Sequence, residues 1–136
     1  MAQYERSLIL PYTSTLNKSN TKTLCVGLEW CGEKRFKTTI QIIANDTKRS
    51  IFLDSVTQWI PLMDMYMSIL EYYDGDDSRQ EFKKKYTQAI QLGDLAISFP
   101  STDHQRERSV LFQQGNIRLL FMKKTFNKKL FHLLKN

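Results

Sequence analysis

One pattern occurs twice along this chain: three apolar, strand-like runs lead into an amphipathic helical run, once in each half. Short turns separate the strand-like runs, which predicts antiparallel pairing. The runs are residues 24–30, 37–43 and 49–53 before a helix at 57–73, and residues 94–99, 108–112 and 116–122 before a helix at 123–134. The pattern predicts an α+β fold, a mainly antiparallel sheet with helices on one face, built from two β-β-β-α units.

The two predicted units span residues 24–73 and 94–134, and a helix at 78–92 joins them. Ser78 and Glu81 have the spacing of a capping box at the start of that helix. A shift of 68 residues superposes the units, but few residues are identical in that register. The order of the elements therefore favours duplication, and the alternative is an α+β fold that repeats nothing. A chain of 136 residues forms one domain, residues 1–136.

The pattern also predicts details of the strands, the first helix and the core. Residues 7–10 are interpreted as an edge strand closed by Pro11, and residues 13–22 as a loop. Thr57 is the expected N-cap, because it places Pro61 near the first helical turn. Trp30 shares the alternation of β-strand residues 24, 26 and 28, which favours a core position. The predicted inward-facing residues are Leu24, Val26, Leu28, Ile40, Ile42, Leu53, Trp59, Met63, Leu95, Ile97, Val110, Leu119 and Leu130.

The charge balance indicates an anionic partner. The chain carries 20 Lys and Arg against 14 Asp and Glu, a net charge of +6. Such a charge favours nucleic acid first, an acidic membrane surface second and an acidic protein third. A basic protein without such a partner is the alternative.

No apolar run approaches the roughly 20 residues that span a bilayer, and the N-terminus does not resemble a signal peptide. We therefore expect an intracellular protein without a membrane span, with nucleus and cytoplasm not distinguished.

Groups that carry catalysis or bind metals are sparse in the sequence. Cys25 and Cys31 do not have zinc-ligand spacing, and His104 and His132 are isolated. There is no Gly-rich phosphate loop and no nucleophile elbow. We therefore expect a protein that is not an enzyme and that uses no metal or other cofactor.

Basic side chains alternate with aromatic ones on the predicted strands. Single-stranded nucleic acid is bound by such surfaces, because cations follow the phosphates and aromatic rings stack on bases. The predicted function is therefore non-enzymatic binding of single-stranded DNA or RNA, which the sequence does not distinguish. The candidate binding residues are Lys34, Arg35, Phe36, Lys37, Gln41, Lys48, Arg49, Arg106, Arg108 and Arg118.

The stretch at residues 33–70 resembles the Whirly, Pur-type and transcriptional positive-coactivator families of single-stranded nucleic-acid-binding proteins. It contains a basic, aromatic-containing hairpin and then the segment KRSIFLDSVTQW at residues 48–59. The resemblance implies two such units in one chain, as in Whirly-type proteins. It also implies that the sheets bind DNA or RNA and that the helices pack on the opposite face or mediate oligomers. The matching sheet positions are Lys34, Arg35, Phe36, Lys37 and Gln41.

The first predicted helix is apolar on more than one face. One sheet cannot bury all of these side chains, and exposed apolar surface usually marks an interface, so we expect a homodimer. The alternative function is a small intracellular module, accessory or viral, that dimerises or binds another protein without binding nucleic acid. The apolar residues are Ile60, Leu62, Met63, Met65, Tyr66, Met67, Ile69 and Leu70.

Overall fold

In the computed structural model, the described part of this chain contains two four-stranded antiparallel sheets, one before and one after a helical segment. Each sheet is a meander in which strands that follow one another in sequence lie side by side. The predicted mixed α+β class with mainly antiparallel sheet is therefore confirmed. The structure describes residues 6–15, 21–33, 35–74, 89–100 and 109–122. The predicted last helix at 123–134, with Leu130, lies outside the described residues.

All six predicted strands are present, within a few residues of their expected ends. Each sheet also contains a fourth strand at one edge, β1 in the first sheet and β5 in the second. Sheet 1 consists of β1 (Ile9–Thr15), β2 (Lys22–Trp30), β3 (Phe36–Ala44) and β4 (Arg49–Asp54). Sheet 2 consists of β5 (Ile90–Leu92), β6 (Leu95–Ser98), β7 (Ser109–Gln114) and β8 (Ile117–Met122).

An edge strand was expected at residues 7–10 and β1 is that strand with other bounds, whereas β5 was not expected. Strand β1 continues through Pro11 to Thr15, where a loop was expected. It tolerates proline because it lies at the sheet edge, and its register shifts between Ile9 and Tyr12. Residues 90–92, expected at the end of the linking helix, instead form β5 in a tight hairpin with β6. Gly93 makes that turn with a positive φ of 60°. Residues 78–88 of the expected helix lie outside the described residues.

The helical segment begins earlier than expected, at Asp54 rather than Thr57. The Asp54 carboxylate accepts hydrogen bonds from the backbone N–H groups of Val56 and Thr57. A π-helical turn, Ser55–Trp59, precedes α1 (Ile60–Asp64) and α2 (Tyr66–Asp74). The π turn brings Pro61 into the first turn of α1, where its missing N–H costs little. No helix within the described ranges is long and apolar enough to cross a bilayer.

One hydrophobic core joins the inner face of sheet 1, the helical segment and one face of sheet 2. We define the inner face of sheet 1 as the one carrying Leu24, Ile40 and Leu53, and the other as its outer face. Leu28 departs from the predicted core because it is 37% exposed, and Val26 and Met63 are only partly buried. The predicted core residues that are buried are Leu24, Ile40, Ile42, Leu53, Trp59, Leu95, Ile97, Val110 and Leu119.

Two glutamine side chains connect the sheets. The Gln114 amide donates to the carbonyl of Phe52 at 2.6 Å and accepts from its N–H at 2.9 Å, so it occupies the free edge of β4 as a neighbouring strand would. Gln58 accepts from the Asp54 N–H at 2.7 Å and donates to the Leu92 carbonyl at 3.0 Å. These bonds fix the end of β4 against the β5–β6 turn.

Candidate functional site

The candidate binding residues of sheet 1 lie on two different faces. Side chains alternate along β3, so Phe36 belongs to the inner face and Lys37 and Gln41 to the outer face. Arg35 precedes the strand in an exposed turn, where its N–H bonds the Gly32 carbonyl at 3.0 Å. The predicted basic, aromatic hairpin therefore presents its ring on one side of the sheet and Lys37 on the other.

The remaining basic candidates lie elsewhere. Lys48 and Arg49 are exposed at the β3–β4 turn, at the opposite end of β3 from Phe36. The nine residues of β3 separate the two ends by about 27 Å, at about 3.4 Å per residue. Arg118 is exposed on β8 of sheet 2, opposite Gln113. Lys34, Arg106 and Arg108 lie outside the described residues.

The outer face of sheet 1 is partly covered by residues 6–11. The Arg6 guanidinium lies over the Phe52 ring, 4.5 Å from its centroid, and forms two hydrogen bonds with the Glu29 carboxylate at 2.6 and 2.7 Å. Gly27 lies under the same segment, where an added Cβ would be 3.0 Å from the Ile9 carbonyl oxygen. The surface beside Lys37 and Gln41 is therefore not an open basic platform.

The end of the β2–β3 hairpin carries an exposed aromatic pair. Trp30 and Phe36 face each other across the strands, with ring centroids 5.0 Å apart and planes at 67°. They are 45% and 50% exposed. The last β3 residue paired with β4 is Thr39, so the hairpin extends three residues, about 10 Å, past the end of β4. The expected core position of Trp30 is therefore corrected. Alternation along β2 places its side chain on the inner face, but the hydrophobic core does not extend to that end of the face.

A cleft of about 510 Å³ lies between this hairpin, the start of the helical segment and the β5–β6 turn. Its charged lining is mixed, with three carboxylates and two cations. Trp30 and Cys31 belong to the hairpin side, and Thr57, Gln58 and Gly93 to the opposite side. The charged lining residues are Arg6, Glu29, Lys37, Asp54 and Asp94.

The ion pairs among the cleft residues differ in the distance between their charged atoms. Arg6 binds Glu29 bidentately, and Thr39 also donates to Glu29 at 3.3 Å. The Lys37 ammonium is 3.9 Å from Glu29 and 3.6 Å from Asp54, beyond hydrogen-bond distance from both. The Lys37 ammonium therefore donates no hydrogen bond to either of these carboxylates.

The pKa values of two carboxylates on the outer face, Glu29 and Asp54, are lowered in the fold. The hydrogen bonds from Arg6 hold the pKa of Glu29 below its usual value, against the opposing effect of burial. The backbone N–H of Thr57 is the largest cause that lowers the pKa of Asp54, and Lys37 adds to it. Asp94 accepts hydrogen bonds from Gln58 at 2.5 Å and Gln114 at 3.0 Å, both through Oδ1.

Among the described residues, no group of three or more His, Cys, Asp or Glu side chains could hold a metal ion. Cys31 is exposed and its thiol donates to the Arg35 carbonyl at 3.4 Å, whereas Cys25 is buried. His104 and His132 lie outside the described residues.

Sequence reasoning found the hairpin but missed the cleft. Arg6, Asp54 and Asp94 come from three separate parts of the chain, and no spacing in the sequence links them. Glu29 was the one indication in the sequence, because it is a charged residue in an otherwise apolar strand. In the fold its side chain is buried, at 7% exposure. Comparison with known proteins finds no matching family model, curated protein or solved structure.

Proposed function

We propose that this protein binds single-stranded nucleic acid, without catalysis, at the projecting end of the β2–β3 hairpin. The observation that carries the proposal is the exposed aromatic pair formed by Trp30 and Phe36, at 45% and 50% exposure. Bases of a single strand stack on exposed rings, and each stacked base contributes about 1–3 kcal/mol. Duplex DNA keeps its bases stacked on each other and gains less from such rings.

Charge supports the same proposal. Arg35 is exposed and directly precedes Phe36 in the chain, so we propose that it contacts a phosphate beside a stacked base. The net charge of +6 attracts a polyanion over longer distances. Lys48 and Arg49 lie at the far end of β3 and Arg118 belongs to sheet 2, so we assign these three residues to this general attraction.

The proposed relation to Whirly-like folds rests on topology. A duplicated sheet-and-helix unit would give two meanders of equal strand number, and sheets of four strands flank the helical segment. Strands β4 and β8 begin at Arg49 and Ile117, 68 residues apart, and both have six residues. These features support duplication. In such a fold the helices would cover one face of each sheet.

A fluorescence-anisotropy titration with labelled single-stranded and duplex oligonucleotides at two salt concentrations tests the binding. Trp30→Ala and Phe36→Ala should each weaken single-strand binding about tenfold, with an unchanged salt slope. Arg35→Ala should instead lower the slope of log affinity against log salt by about 1. Tyr12→Ala, which removes an exposed aromatic ring from β1, is the matched control and should bind as the wild type does.

Absence of binding to either oligonucleotide at low salt would reject this function. Equal affinity for the single strand and the duplex would reject the role of stacking.

A second candidate function, homodimerisation, is favoured by an exposed apolar stripe on the helical segment. Val56, Ile60 and Met67 follow one another at helical spacing and are exposed, whereas Leu62, Tyr66 and Ile69 face the core. We propose that a second copy of the chain covers this stripe. The two functions are compatible, because the stripe and the aromatic pair belong to different elements.

A further inference from the structure

We infer that the cleft between the β2–β3 hairpin and the β5–β6 turn is a binding site for a small zwitterion, an α-amino acid. The inference does not depend on the proposed nucleic-acid function, although Trp30 belongs to both sites. The volume of about 510 Å³ is within the range of small-molecule sites, about 300–1,000 Å³.

The charge pattern of the lining selects the class of ligand. Glu29, Asp54 and Asp94 would repel an anion, whereas Arg6 and Lys37 would repel a cation. A molecule that carries one charge of each sign, with no net charge, is complementary to such a lining. An α-amino acid presents its carboxylate and its ammonium group a few ångströms apart, a separation similar to that between Lys37 and Asp54.

Hydrogen-bonding capacity that the chain leaves unused identifies the contacts. Arg6 and Glu29 are held to each other by two hydrogen bonds, so they form a fixed wall. Lys37 lies 3.6 Å from Asp54, beyond hydrogen-bond distance, so its ammonium can donate to a ligand carboxylate. Asp94 uses Oδ1 for both glutamine amides and leaves Oδ2 without a donor among the described residues. Asp94 can therefore accept from a ligand ammonium, and so can Oδ2 of Asp54, because the N–H groups of Val56 and Thr57 bind its Oδ1.

Trp30 suggests the kind of side chain. It is among the residues that line the cleft, so the side chain of a ligand whose charged groups reach Lys37 and Asp94 would contact the wall to which Trp30 belongs. An aromatic or large aliphatic amino acid fits this arrangement better than glycine, because its side chain would bury apolar surface there.

Isothermal titration calorimetry on the whole chain tests the site with three related probes: phenylalanine, phenylalanine amide and N-acetylphenylalanine. The amide lacks the carboxylate and the acetylated form lacks the ammonium group. We expect phenylalanine to bind and each blocked form to bind at least about tenfold more weakly, because each loses charge-assisted hydrogen bonds. Glycine should bind more weakly than phenylalanine.

Variants assign the contacts to residues. Lys37→Gln should weaken phenylalanine binding about tenfold, and Asp94→Asn should do the same while keeping an oxygen that accepts from Gln58 and Gln114. Lys48→Gln and Asp46→Asn make the same charge changes at the distant β3–β4 turn and are expected to leave binding unchanged.

No heat of binding for phenylalanine at millimolar concentration would overturn the inference. Equal binding of the three phenylalanine probes would also overturn it, and this comparison is made on the wild-type chain, so it does not depend on how the variants fold. Failure of oligonucleotide binding would leave this result unaffected.

Discussion

At the scale of single residues, burial depends on how far along a strand a side chain lies as much as on which face of the sheet it belongs to. Leu24 and Leu28 occupy the same strand and the same face, yet they are 1% and 37% exposed. The difference arises because β3 continues past its last pairing with β4, at Thr39. Leu28 pairs with Thr38, beyond that point, so the core does not extend over it.

This difference predicts unequal costs of truncation. Leu24→Ala should lower the free energy of unfolding by about 2–5 kcal/mol, because it leaves a cavity in a packed core. Leu28→Ala should cost about 1 kcal/mol or less, since much of its side chain already contacts water. Urea denaturation of both variants measures the difference. Equal midpoints for the two variants would contradict the assigned burial.

At the scale of elements, the buried Glu29 ties three parts of sheet 1 together. It accepts from Arg6 ahead of β1 and from Thr39 on β3, and its own strand is β2. Removing such an acceptor leaves a guanidinium and a hydroxyl without their partner, which is more costly than losing an exposed ion pair. The network therefore fixes Arg6, ahead of β1, on the outer face.

The network also predicts how stability depends on pH. Arg6 lowers the pKa of Glu29 in the folded state. In the unfolded chain the pKa of this glutamate is about 4.3, so below neutrality the unfolded state binds more protons than the folded state. The stabilisation is complete above that value and is lost as the pH falls through the lower folded-state pKa. Glu29→Gln should cost about 1–3 kcal/mol at neutral pH and progressively less in acid.

Denaturation midpoints measured from neutral pH down to about pH 3 test this expectation. Glu33→Gln, in the exposed β2–β3 turn, removes a carboxylate without removing the network and serves as the control. A constant difference between wild type and Glu29→Gln across the range would show that the carboxylate is not stabilised by Arg6.

At the scale of the whole molecule, the hydrophobic core is formed by residues of both sheets and of the helical segment. One side of the helical segment remains exposed. The residues that face the core include Trp59, Leu62, Tyr66 and Ile69, and Tyr72 adds a hydrogen bond to the Ser109 carbonyl at 3.0 Å. Val56, Ile60 and Met67 are exposed. A second copy of the chain would remove this stripe from water.

Self-association is therefore expected at micromolar concentration, and Ile60→Lys should abolish it by placing a charge in the apolar stripe. Light scattering with size-exclusion chromatography measures the mass of both proteins. Leu120→Lys, a similar change at an exposed position of β8, should leave the dimer intact. A monomeric mass for the wild-type chain would exclude the dimer, and dimeric Ile60→Lys would exclude this stripe as its interface.

The sequence by itself determined the local structure where the period of apolar residues is regular. Alternation at Leu24, Ile40 and Ile42 identified strands and their inward face, and glycine and short polar turns set antiparallel pairing. It was less reliable where pattern and context diverge. Pro11 suggested the end of a strand but lies inside an edge strand, and residues 90–92 continue a helical pattern but pair with β6.

Only the tertiary structure decided which surfaces are open and which groups meet. Trp30 has the phase of a core residue, and its exposure depends on where β4 ends, which is a property of a different strand. Likewise Lys37, Asp54 and Asp94 lie far apart in sequence and line one cleft because Gln58 and Gln114 hold the β5–β6 turn against β4. Period and propensity are local, whereas burial and charge pairing depend on contacts between distant segments, so the sequence pattern alone does not contain them.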